Sequence, residues 1–502
     1  MKKGILILLA LWMALSCCAC AENTEEEDGT LGVESALPGA ETATEGVTEE
    51  PDPHHKDFRV ERNNYGKTFG ILYCQDTLDG SVYFEKSENA MATRVLEASA
   101  ERIKATEAYL GVNVDALGLE HSYQFTNYLQ TMVRSGGKSY HMLIIPTAVA
   151  LEPMMGYLVD MNTLEGINTS AGYWGEENNQ RLQIKGTQIF GYNRFLLPDD
   201  AHVVAFNRDI VKGEFSADTL YDLVENHEWT LEALQSYSAE YGKDNGDGVL
   251  DYQDRYGLAF VFDTLDIFNE SKQRRAPIAS FQTSSDIQIM DNANHTLNIL
   301  LDENHTRFFS LAEKLSALAA ADTTYFNYPN EVEQAWVRMD SDRIMFELTS
   351  LRELTMHVGD SQDVGVLPYP LFDQNQENYR TLYVGGLIAL AKGNEDLDMA
   401  ADVVETLAYY SHDVQEAYSL AVWEKINSSS ARDVTMLRQI RYSMTVDLGW
   451  SLLNDFNYMG GVSSAIGKSV SKDGPTVEFS LMLHREQLEN AIQRAMAKYL
   501  VD

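Results

Sequence analysis

HMLIIP, residues 141–146, is the stretch that decides the fold class. It is an apolar run too short for a helix of ordinary length, and it reads as a strand buried on both faces, as in a parallel sheet. Upstream, KTFGILY (67–73) has the same character and ends at Cys74-Gln75-Asp76. Between the two lie a helical spacing from Met91 to Leu110, a short strand Val112–Val114, and a second helix from Tyr123 to Arg134, halted by Gly136-Gly137. Strands alternating with helices imply βαβ units with right-handed crossovers, an α/β class. Downstream, Leu231–Tyr241, Thr306–Ala320, Asp396–Tyr410 and Val414–Lys425 carry apolar residues at three- and four-residue steps, with Thr230 as a helix cap. Val364–Pro368 and Gly386–Leu390 read as strands returning to a sheet.

The chain has 502 residues, 44% of them hydrophobic and 10% aromatic, enough to fill a large core. Its net charge of −38 opposes nucleic acid or an anionic membrane surface as a partner. About a quarter of that charge falls in residues 22–56, a stretch rich in Glu, Thr, Gly, Ala and Pro. With almost no large apolar side chain it cannot bury enough surface to fold, and its own repulsion extends it as a tether. Beyond residue 20 there is one cysteine, Cys74, so no intrachain disulfide forms there.

The first twenty residues, MKKGILILLALWMALSCCAC, place two lysines before an apolar run and end in small residues. That run falls short of the roughly 20 apolar residues of a membrane span and has the order of a cleaved export signal. A cysteine at the cut resembles the lipobox of bacterial lipoproteins, which implies acylation with palmitate and anchorage at the extracellular face of the membrane. Cys18 has Leu15 three residues before it, Cys20 has Ala19 directly before it, and Cys17 fits less well.

Several segments, in order, resemble family 1 of the bacterial extracellular solute-binding proteins, the maltose-binding-like receptors of ABC transporters. They are YGKTFGILYCQD, YHMLIIPTA, LQIKGTQIFGYNRF with VVAFNRDIV, the stretch HEWTLEALQSYSAEYGKDNGDGVLDYQDRYGLAF, DVGVLPYPLFDQNQENYRTLYVGGLIAL, and the C-terminal pair LAYYSHDVQEAY and KINSSSARDVTMLRQIRYSMTVDLG. The resemblance implies a two-lobed periplasmic-binding-protein-like (type II) fold with a hinge between lobes. It further implies capture of a small polar solute, a sugar or oligosaccharide, and delivery to permease subunits without chemistry. The expected division is a lipoprotein signal peptide at 1–20 and a disordered acidic tether at 21–57. The N-terminal lobe is expected from 58–203 and 364–410, the C-terminal lobe from 204–363 and 411–502.

Ligands of open α/β sheets sit beyond the carboxyl ends of strands. Gln75 and Asp76 follow the first strand and Thr147 follows the 141–146 strand, so both loops are expected to face the cleft. Trp174 lies in a Gly- and Asn-rich loop, either as an aromatic platform for a sugar ring or as a plug in the core. Asp199 and Asp200 precede the crossing strand, as acceptors for hydroxyl or ammonium groups or as a solvated turn. Glu347 follows the apolar Ile344–Phe346, and Tyr369 and Tyr383 flank a polar loop; for each, packing is the competing reading.

Asn245, Asp247, Gly248, Asp251 and Asp254 match several positions of an EF-hand calcium loop, but Lys243 stands at position one and Asp254 replaces the final Glu. Structural calcium and a hydrogen-bonded acidic turn both remain open; no other cofactor is expected. There is no His-Glu-x-x-His, no zinc-type cysteine pair and no Gly-x-Ser-x-Gly, so the chain reads as a non-enzyme. The alternatives are a surface polysaccharide-degrading enzyme and a non-transporting binding or sensor lipoprotein. Replacing Cys17, Cys18 and Cys20 together by alanine is expected to abolish labelling by palmitate and release the protein from membranes. The single variants C18A and C20A, fractionated alongside, identify the acylated residue.

Overall fold

The 141–146 run is strand β3 (Met142–Pro146), every residue of it buried. The computed structural model describes residues 55–78, 80–84, 94–137, 139–147, 149, 151–198, 201–251, 253–260, 275–288, 290–291, 296–297, 306–326, 343–358, 362–453 and 475–500. All of these lie within one compact unit, Glu49–Asp502. Cys17, Cys18 and Cys20, and residues 21–54 of the expected tether, lie outside the described residues. His55–Asp57, expected in the tether, form a 3-10 turn, and Phe58 stacks on Tyr409 at 4.3 Å, so the body begins slightly earlier than composition indicated.

β3 is an inner strand of a four-stranded sheet in the order β12-β3-β1-β2, with β1 at Lys67–Cys74, β2 at Val112–Leu119 and β12 at Gly386–Leu390. β1 runs parallel to β2 and β3, while β12 runs antiparallel to β3. The closeness of β1 to the chain entering β3 requires Gly70. A Cβ there would sit 1.8 Å from the Ser139 carbonyl oxygen, and its N–H donates to His141 Nδ1 at 3.0 Å. β2 is eight residues long rather than three. It is an edge strand, half-exposed beyond Val114, so its apolar signal fades before its pairing does.

A second, five-stranded sheet has the order β10-β4-β9-β5-β8. Its members are β4 (His202–Asn207), β5 (Tyr256–Phe260), β8 (Thr324–Phe326), β9 (Ile344–Ser350) and β10 (Val364–Leu367). Short pairs β6–β7 (Met290–Asp291, Thr296–Leu297) and β11–β13 (Thr381–Leu382, Met444–Thr445) complete the strands among the described residues. Two sheets with helices around them form the expected two-lobed α/β architecture.

The lobe boundaries differ from expectation in two places. β10, placed with the N-terminal lobe, pairs antiparallel with β4 in the second sheet. An apolar strand reads alike whichever sheet receives it, so sequence pattern could not choose. Residues 411–502, placed in the C-terminal lobe, divide between both. The helix His412–Lys425 packs on the helix Arg94–Leu110 beside the first sheet, and Tyr499, ending the helix Val477–Tyr499, donates its hydroxyl to the Leu182 carbonyl. The helix Arg432–Tyr442 instead packs against β10.

Two buried polar centres fix these packings. Arg208, 3% exposed, begins the helix after β4. It pairs with Asp433, with Asp363 at 2.8 Å and with the Tyr221 hydroxyl at 2.7 Å. Asp433 also accepts from Tyr221 and from the Val366 N–H at 3.0 Å. Burial alone would lower the Arg208 pKa, but Asp433, Tyr221 and Asp363 outweigh it and push it up. The other centre is Glu405, 1% exposed on the helix Leu397–Tyr409. It accepts from the Asn168 N–H and Trp174 Nε1, both at 2.6 Å, and from the Tyr173 hydroxyl at 2.7 Å.

Removing one partner of the first centre, as in Asp433→Ala, strands a buried guanidinium and is expected to cost about 3–5 kcal/mol in denaturant unfolding. For Glu405, burial raises the carboxyl from 4.5 to about 7 against its three donors. The folded state therefore holds this proton more tightly than the unfolded chain. Its stabilising share is whole below about pH 4.5 and is lost as pH rises through 7, roughly 3 kcal/mol in all. Glu405→Gln, which imitates the protonated form, should lack that decline. Unfolding free energies of both proteins across pH 4.5–8 check it.

Candidate ligand cleft

Three loops leave the carboxyl ends of the parallel strands β1, β2 and β3 on one edge of the first sheet. After β1, Gln75 and Asp76 are exposed. One Asp76 oxygen accepts the Ser122 N–H at 2.8 Å, which draws the loop after β2 against the loop after β1. That places Tyr123 beside Asp76. The Tyr123 ring is 72% exposed and lies on the His121 imidazole, with centroids 5.2 Å apart and planes 19° apart. A large aromatic face open to solvent in a ligand-side loop is an unusual use of such a residue, because aromatic side chains ordinarily bury their faces.

From the second sheet, β9 leads into the helix Leu351–His357, capped by the Ser350 side chain, which accepts from the Glu353 N–H. Arg352, in its first turn, donates Nη2 to the Thr77 carbonyl at 3.1 Å. Loops of the two sheets therefore meet here, with Gln75, Asp76 and Tyr123 on one side and Arg352 on the other. The arrangement offers a flat apolar face, carboxylate and amide acceptors, and a planar set of donors. A second link between the lobes is ionic. Glu177 and Arg181, on the helix Glu176–Leu182, meet Arg380 and Asp286. Arg380 lies 2.6 Å from Glu177 and 3.4 Å from Asp286, and Arg181 lies 2.9 Å from Glu177.

The other residues singled out in the sequence fall elsewhere. Thr147 is wholly buried; its hydroxyl donates to the Gly385 carbonyl at 2.9 Å and clamps the end of β3 to the start of β12. Trp174 is wholly buried with its indole N–H on Glu405, so it fills the core rather than the cleft. Glu347 is 4% exposed within β9, opposite Ala205 and Ala259. Tyr369 packs edge-on to Phe281 at 5.0 Å, and the Tyr383 hydroxyl accepts from the Gly386 N–H. Both rings are buried. Asp199 and Asp200 lie outside the described residues.

In the acidic loop, Asp254 is wholly buried and accepts from the N–H groups of Asn245 and Asp251, both at 2.7 Å. Asp247 accepts from Val249 N–H, and Asp244 from those of Gly246 and Gly248. The loop is a chain of side-chain-to-backbone turns. Among the described residues, no three His, Cys, Asp or Glu side chains stand together as a metal site. Neither does any described helix have the length and apolarity to cross a membrane.

Tyr123 and Arg352 were missed in the sequence. Helical spacing extends back to Tyr123, but the α-helix begins at Phe125 and Tyr123 sits in the 3-10 turn before it. Arg352 escapes the sequence reading because the unbroken apolar run Ile344–Phe346 stops four residues before β9 does, with Leu348 the one apolar residue in between. Counting to the strand end rather than the end of the apolar run would have reached it.

No protein-family model matches the sequence, and no curated protein sequence does. Solved structures do match over most of the chain. The sugar-binding protein MalE from Xanthomonas citri has a TM-score of 0.54 at 12% identity, covering 87% of this chain and all of its own. The cyclic α-maltosyl-1,6-maltose binding protein from Arthrobacter globiformis has a TM-score of 0.53 at 12% identity, covering 86% of this chain and 98% of its own. UgpB from Mycobacterium tuberculosis, in complex with glycerophosphocholine, has a TM-score of 0.50 at 10% identity, covering 85% and 98%. Matched over nearly the full length of these structures, the chain has the two-lobed α/β fold of the maltose-binding-like solute-binding proteins.

Proposed function

We propose that this chain is a lipid-anchored receptor that captures a sugar or oligosaccharide between its lobes and passes it, unaltered, to an ABC permease. The observation that carries the reading is the open Tyr123 face beside Gln75 and Asp76, opposed by Arg352. A sugar ring presents apolar C–H faces and a rim of hydroxyls. An aromatic plane takes the former by dispersion and burial, while carboxylate, amide and guanidinium groups take the latter. Two of the similar structures are named as sugar binders, which supports the same class. Lobe closure supplies the signal, since a ligand touching both lobes favours the closed arrangement by its differential affinity.

The export signal and acidic stretch support anchorage at the extracellular face, with the tether lifting the lobes from the membrane. The reading assigns no bond-breaking step to the protein.

A thermal-shift screen over mono- and oligosaccharides tests it. A true ligand at a hundred times its dissociation constant is expected to add about 2.7 kcal/mol of stability and to be recovered chemically unchanged. Tyr123→Ala should weaken binding roughly tenfold, the loss of one stacking face, while its exposed position leaves the unfolding midpoint without ligand near that of the parent. Absence of any saccharide response, or turnover of the saccharide by pure protein, would defeat the proposal.

A further inference from the structure

A second recess lies apart from the cleft, where the turn before the helix Glu176–Leu182, the 192–194 segment, the start of the helix His412–Lys425 and the end of the helix Arg432–Tyr442 converge. It has a volume of about 110 Å³, room for several waters or one small ion with its shell. Gln75, Asp76, Tyr123 and Arg352 do not line it. Arg194, Arg441 and His412 do, with Tyr192, Gln415 and Tyr442, and no carboxylate belongs to its described lining. In a chain of net charge −38 such a lining is a strong local inversion.

Behind Arg441 the charge is only partly offset. Glu416 lies 2.6 Å from Arg441 Nη2 but is shared with Arg438 at 3.1 Å, so one carboxylate serves two guanidinium groups. The positive charges of both Arg441 and Arg194 act on the Tyr192 hydroxyl, which burial pushes up and they pull back. The Arg441 side chain is only 8% exposed, and its Nη1 is buried with no hydrogen-bond partner. Gln415 Oε1 is likewise buried without one, although the amide nitrogen of the same side chain donates to the Arg194 and Leu196 carbonyls at 2.7 Å. Native structures rarely leave such groups unmet, and a buried guanidinium edge is the costliest to leave.

We propose that this recess binds a small oxyanion that also carries a hydroxyl. Its charged oxygens complement Arg441 and Arg194, and its O–H has an acceptor in Gln415. Hydrogenphosphate and the anionic end of a sugar phosphate or sugar acid share this chemistry. The inference is independent of what the cleft carries, because no cleft residue takes part.

Thermal unfolding and calorimetric titration with inorganic phosphate, glucose 6-phosphate and glucuronate, at ionic strength held constant with chloride, test it, with neutral glucose as the control. Saturable stabilisation by at least one anion is expected, and the pattern among the three separates the free ion from a sugar-borne group. Arg441→Met should weaken that binding roughly tenfold or more, the loss of a charge-assisted hydrogen bond. His412→Glu, at an exposed position that leaves folding intact, should weaken it similarly by opposing charge at the rim. No saturable response to any of the anions, or equal affinity in the parent and H412E, overturns the proposal.

Discussion

One edge of the second sheet, where β10 lies beside β4, is registered by one buried charge. Arg208 stands at the end of β4, with Asp363 just ahead of β10 and Asp433 on the helix that covers it. A guanidinium taken out of water requires partners on every edge, and its two carboxylates lie 155 and 225 positions further along the chain. The pairing therefore specifies which strand lies beside β4 and which helix lies over it. Apolar packing alone would tolerate several arrangements at similar energy; a buried ion with fixed geometry tolerates few.

Glu405 does the corresponding work beside the first sheet in a different chemical idiom. It has no cationic partner and is held by an indole, a phenol and a backbone amide. Those donors belong to the loop before the helix Glu176–Leu182, so the carboxylate organises an irregular segment that has no ladder of its own. The cost is a carboxyl poised to take up a proton near neutrality.

The architecture was legible where strands are buried on both faces. β1, β3 and β12 stand out because buried, mostly apolar residues fill them, apart from the exposed Lys67 and Thr68 that open β1. β2 was cut short because an edge strand shows solvent on part of its length. The sheet that owns β10 was not legible, since Val364–Leu367 would suit either, and what decides is Asp433, far along the chain. Trp174 and Tyr123 show the same limit for sites. Neighbours in sequence make Trp174 look open and Tyr123 look helical, yet the Trp174 indole is held by Glu405, 231 positions away, and the turn that carries Tyr123 is tied to Asp76 through the Ser122 N–H, 46 positions away. Gln75 and Asp76 were found because strand ends are local features.

The first lobe is assembled from pieces separated by almost the whole chain. Strands between residues 67 and 146 pair with β12 at 386–390, and the hydroxyl of Tyr499 closes on Leu182, 317 positions earlier. A ribosome releases such a chain from its beginning, so β1, β2 and β3 can pair with one another long before β12 and the last helix exist to complete the lobe. Loop closure over that distance is slow and entropically costly. The lobe is thus complete only once the last helix of the chain is in place.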